Sequence, residues 1–156
     1  MIDIKEKVFL KDWILRYVKN KDLMMKKIIS TNDTEHGFIV VKKDSEQQFF
    51  IIPSLKDLSS LTKEIKEYKH NKSVACFHTK ENFDILIKQW SEYVELSRNF
   101  TIYFVNPFSK SDRVLSLSPY THQLIADDES LVTGLKTMSE TVEFTTEDEV
   151  KKIISS

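Results

Sequence analysis

Two apolar runs on either side of an amphipathic stretch constrain this chain more than any other feature in it. Residues 73–77 (Ser73, Val74, Ala75, Cys76, Phe77) are continuous and uncharged, the pattern of a strand covered on both faces, and residues 100–105 form a second buried-looking run. Between them Thr79 stands at an N-cap position, and Phe83, Leu86 or Ile87, Trp90, and Tyr93 or Val94 recur at helical spacing. Strand, helix of about four turns, strand is a βαβ unit, and such crossovers are right-handed in about 98% of cases. The two strands are therefore expected to run parallel, as neighbours or near neighbours, with their carboxyl ends on one edge.

The flanks supply the rest of the architecture. Ile4, Val8, Trp13 or Ile14, and Tyr17 with Val18 trace an amphipathic helix, and Leu23, Met24, Met25, Ile28 and Ile29 either continue it or form another. Residues 1–30 thus read as an N-terminal helical segment packed on the domain, closed by the polar stretch 30–37. Runs at 38–41 and 49–52, joined by polar residues, predict an antiparallel hairpin ended by Pro53. Ser54 and Asp57 resemble a capping box for a helix carrying Leu55, Leu58, Leu61, Ile65 and Tyr68. Beyond residue 105, residues 113–117 predict an antiparallel strand stopped by Pro119. Asp127 or Asp128 caps a helix with Leu131, Leu135 and Met138, and Thr145 or Thr146 caps a terminal one ending at Ile153 and Ile154. The alternation predicts an α/β fold, one domain over residues 1–156: a mixed sheet of about five strands, helices on both faces, an N-terminal helix and the central βαβ unit.

What the chain lacks narrows its chemistry. It holds two glycines, Gly37 and Gly134, whereas glycine-rich phosphate loops need several close together, so that mode of nucleotide binding is excluded. Cys76 is the sole cysteine and lies in an apolar run, which suits a buried thiol in a reducing compartment. No apolar run approaches the roughly 20 residues of a membrane helix, and residues 1–7 lack the apolar core of a signal peptide. A cytoplasmic location without membrane contact is expected. The net charge of −1 argues against a nucleic-acid partner. Basic residues gather before residue 28 and acidic ones after 125, so head and tail are expected to attract, within the fold or between copies.

Ligands of open α/β sheets favour the crevice beyond the carboxyl ends of the strands. His78 with Thr79 follows one parallel strand and Asn106 the other, while Tyr120 and His122 follow the next strand. Together they form the candidate ligand site, able to hold a small anion or move a proton. In the plainer alternative, His78 and Thr79 only cap a helix and Asn106 with Pro107 shapes a turn. No metal site is expected, since His36, His70, His78, His122 and Cys76 show no ligand spacing. No cofactor motif, serine elbow or other catalytic signature stands out.

A leading helix, a hairpin and a strand–helix–strand unit together resemble the restriction-endonuclease-like fold. That family holds a divalent metal with an acid on one strand and E-x-K on the next. Here Asp44 and Glu46 lie near the hairpin, the second strand offers Phe49, Phe50, Ile51 and Ile52, and Glu64-Ile65-Lys66 and Glu67-Tyr68-Lys69 fall on a helix. The resemblance implies a degenerate domain. Residues 100–135, with Thr101, Tyr103, Phe104, Val105, Asn106, Pro107, Phe108, Pro119, Tyr120, Thr121 and His122, also resemble a set of small archaeal-type α/β proteins to which no activity is attached. Tyr103 and Phe108 flank a loop where aromatic anchors for a protein partner would stand. The leading expectation is a non-catalytic interaction or assembly module, a homo-oligomer or one bound to a protein partner. An anion- or small-molecule-binding enzyme and the degenerate nuclease-like domain are the alternatives.

Overall fold

The computed structural model describes residues 4–155. Its centre is the βαβ unit. β4 (Asn71–Phe77) and β5 (Phe100–Val105) are parallel neighbours, with Ser73 opposite Thr101 and Phe77 opposite Val105. The connecting helix is not continuous. It breaks at Gln89 into α3 (Lys80–Lys88) and α4 (Trp90–Leu96), and Trp90, Tyr93 and Leu96 of α4 are buried in the core. Thr79 caps α3 as expected, its side chain accepting from the Asn82 amide at 3.1 Å.

On one side of this unit lie β1 (Ile28–Asp33), β2 (Gly37–Lys42) and β3 (Glu46–Ile51), an antiparallel meander whose last strand runs parallel to β4. On the other side β6 (Val114–Leu117) pairs antiparallel with β5. The sheet therefore has six strands in chain order, one more than the sequence suggested. The extra strand is β1, drawn from residues read as helix and polar stretch. Gly37 starts β2 where a Cβ would lie 2.0 Å from the Phe49 carbonyl oxygen, so no larger residue fits.

Alternation along the strands feeds two cores. On one face Phe50, Val74, Cys76, Ile102, Phe104, Leu115 and Leu117 meet a 3-10 helix (Leu55–Leu61), α2 (Thr62–Glu67), α3, α4 and α6 (Asp128–Ser139). On the other, Phe38, Val40, Phe49, Ile51, Ala75, Phe77 and Val105 meet α1 (Ile4–Asp22) and α7 (Glu147–Ile154). α1 does pack on the sheet, through Leu10 and the expected Ile14, with Trp13, Tyr17 and Val18 partly buried beside them. Ile4 and Val8, expected in its apolar stripe, are exposed. The first three residues of the expected N-terminal segment lie outside the described ones.

Two further local features depart from expectation. Ser54 makes no side-chain cap, and the segment after it winds as a 3-10 helix before α2. Pro119 does follow the end of β6, as expected, and it also opens α5 (Pro119–Ile125), a helix that was not expected, since proline's fixed φ suits the first turn of a helix. Lys72 is buried at the start of β4, where its ammonium donates to the carbonyls of Ile65, Lys66 and Tyr68 and so closes the end of α2. Burial holds that lysine below its ordinary pKa. Among the described residues no helix is long and apolar enough to cross a membrane.

Candidate functional site

β4 and β5 deliver His78, Thr79 and Asn106 to one edge of the sheet, as their places after the strands require. All three are buried. The His78 ring stacks on Phe144, with centroids 4.3 Å apart, and stands edge-on to Phe83 and Phe104. Its Nε2–H donates to the carbonyls of Ser139 at 2.8 Å and Val142 at 3.1 Å. Nδ1 is buried without a hydrogen-bond partner among the described residues. Burial pushes this histidine below its ordinary pKa, against the two carbonyls that favour its charged form. Asn106 donates from Nδ2 to the Glu143 carbonyl at 2.7 Å and accepts the Phe108 amide at 3.0 Å.

His78 and Asn106 thus both hold the end of α6 and the segment that follows it toward α7. The Thr145 amide adds a bond to the His78 carbonyl at 2.9 Å. Tyr120 and His122 are not part of this group. They sit on α5 against α4, with Arg98 5.3 Å from the Tyr120 ring centre and Trp90 edge-on to His122 at 5.8 Å. The other expected anchors, Tyr103 and Phe108, are half-buried against Phe49 and Phe9.

The carboxylates near the hairpin do not gather. Glu46, at the first position of β3, accepts from the Tyr68 hydroxyl, and the strand continues with Gln47, Gln48, Phe49, Phe50 and Ile51. Glu64 lies on α2 and pairs with His36 at 3.3 Å. Among the described residues no group of three His, Cys, Asp or Glu side chains is placed to hold a metal ion.

The larger hollows lie elsewhere, along the carboxyl-terminal half of α1. One, of about 490 Å³, is walled by Trp13, Arg16, Tyr17 and Asn20 of the helix and by Ser111, Asp112, Arg113 and Val114 leading into β6. The second, of about 500 Å³, is bounded by Tyr17, Val18, Lys21 and Asp22, by Met25 and Lys27 of the following turn, and by Lys42, Gln47, Phe49 and Tyr103 on the sheet. They adjoin at Tyr17, which lines both, and together they make up the α1 trough. Its helix wall is a ladder: Trp13 stacks on Tyr17 at 5.6 Å and the Lys21 ammonium stands 4.8 Å over the Tyr17 ring. The Tyr17 hydroxyl holds Lys21 above its ordinary pKa, so the ammonium stays charged. Asp22 is engaged by the amides of Lys27 at 3.0 Å and Ile28 at 2.9 Å, which lower its pKa.

Sequence reasoning missed this trough because its walls come from four separate segments. The signal that was present is the spacing of Trp13, Tyr17 and Lys21 at successive four-residue steps, which stacks them on one helix face. A comparison with protein-family models, curated proteins and solved structures finds no match for this chain.

Proposed function

We propose that the protein is a non-catalytic assembly module that pairs with a second copy through the free edge of β1. The observation that carries this reading is an exposed apolar cluster beside an unpaired strand. β1 pairs with β2 alone and closes one side of the sheet. Next to it Leu23, Met24, Met25 and Ile29 are 66%, 93%, 62% and 64% exposed. Scattered exposed aliphatics are ordinary, but four within seven residues at a sheet edge form a patch suited to association.

Charge favours a second copy as the occupant. Lys26 and Lys27 precede the strand, while Asp33 and Glu35 end it and follow it. Two-fold antiparallel pairing centred on Ser30 lays Lys27 of one copy opposite Asp33 of the other, twice. The bulge between Ile28 and Ser30 leaves Ile29 without a partner in the ladder with β2, and its side chain is exposed at the edge.

Light scattering coupled to size-exclusion chromatography tests this. A dimer is expected for the wild-type chain at micromolar concentration, and a monomer with unchanged circular dichroism for the Met24→Lys/Ile29→Lys variant. A monomeric wild type, or a dimer that survives both substitutions, would overturn the reading.

A further inference from the structure

The trough beside α1 has the composition of a surface for a flexible polyanion that carries planar rings, and it meets the β1 edge only at Met25 and Lys27. Five cationic side chains line it, Arg16, Lys21, Lys27, Lys42 and Arg113, against two acids, Asp22 and Asp112. Asp22 is already satisfied by two backbone amides. Aromatic groups stand among the cations: Trp13 and Tyr17 on the helix wall and Tyr103 on the floor are half-buried, while Phe49 is buried against Phe38 and Tyr103. The trough runs from the start of β6 to the turn before β1.

We infer that this trough binds single-stranded nucleic acid. Phosphates spaced along a chain match cations spaced along the trough, and unstacked bases match the half-buried rings of Trp13 and Tyr103, since Tyr17 is covered by Trp13 and Lys21 and Phe49 is buried. A duplex keeps its base faces in its own stack and could use only the cations. An acidic peptide would likewise leave the rings unused. The overall net charge of −1 does not oppose this, because the phosphate-facing charge is local and the acids of residues 143–149 stand on the segment leading into α7 and on its first turn.

Fluorescence anisotropy with a labelled oligothymidylate of about 12 nucleotides is the test. Binding is expected at low salt, with Trp13 emission quenched on complex formation. R16A/R113A and K21A/K42A should each weaken it about tenfold, and each should flatten the plot of log K against log salt by about 1.4, two cations at 0.7 apiece. K56A/K63A, which alters exposed lysines at the 3-10 helix and α2, should leave binding unchanged; the melting curve of each variant shows that it is folded. Four results would overturn the inference: no binding at low salt, an equal loss in K56A/K63A, equal affinity for the matching duplex, or equal affinity for polyglutamate. The first removes the site, the next two reduce it to diffuse charge, and the last makes the occupant an acidic protein segment.

Discussion

Protonating His78 would place a second N–H donor where the described residues offer no acceptor, inside three aromatic rings. Its neutral form, with the proton on Nε2, is therefore the folded form. An unfolded histidine titrates near about 6.5, and burial sets the folded value lower, so the unfolded chain binds the extra proton first as pH falls. The stability tied to His78 is complete above that unfolded value and is lost as pH drops through the folded one. Between the two the slope is about 1.4 kcal/mol per pH unit. Urea titrations at several pH values should show this loss in the wild type and a flatter curve in His78→Gln, which keeps an N–H donor and cannot titrate. Equal slopes would mean that other groups govern the acid limb. At this scale the sequence located the residues well, for His78, Thr79 and Asn106 do follow the parallel strands. Their partners were not legible, since the carbonyls of Ser139, Val142 and Glu143 lie more than 35 residues away and carry no side-chain signature.

Elements with a strong apolar stripe were readable, and those without one were not. α3 begins at its expected cap, Thr79, and α6 and α7 begin at one of the two caps expected for each, Asp127 and Thr146, because a cap followed by periodic apolar residues is a local signal. β1 has no alternation to read: it lies at an edge, and Ile29, Ser30, Asn32 and Asp33 are exposed. The break at Gln89 was hidden because the stripes of α3 and α4 join without a gap in sequence. Trp90 opens α4 at that break, 9% exposed, and its indole N–H donates to the Gln123 side chain at 2.6 Å, tying α4 to α5. Trp90→Ala removes both the packing and the tie, and should cost about 3 to 5 kcal/mol. Thermal melting reads this directly, and an unchanged midpoint would mean that α4 is not anchored through this side chain.

At the scale of the whole molecule, one sheet serves two cores, and β4 and β5 contribute alternate residues to each. Val74 and Cys76 face α3 and α4, while Ala75 and Phe77 face α1. Neither core can lose its floor without stripping the other, so the faces should unfold together despite their different helices. The two tryptophans report on them separately. Trp13 packs with the α1 face and Trp90 belongs to the opposite core. The returning chain strengthens the coupling: residues 139–145 bond to His78 and Asn106 at the sheet edge, and α7 then buries Val150 beside Leu10 and Ile14 of the first helix. In Trp90→Phe, where Trp13 alone emits, the urea transition by fluorescence should coincide with that by far-ultraviolet circular dichroism. The same should hold in Trp13→Phe, where Trp90 is the reporter. Comparing the two probes within each variant removes the effect of the substitution on stability. An earlier fluorescence transition in the Trp90→Phe protein alone would mean that α1 and α7 leave the sheet before the rest unfolds. The sheet would then be a finished structure without that face, and the shared floor would not be what binds the two layers into one cooperative unit.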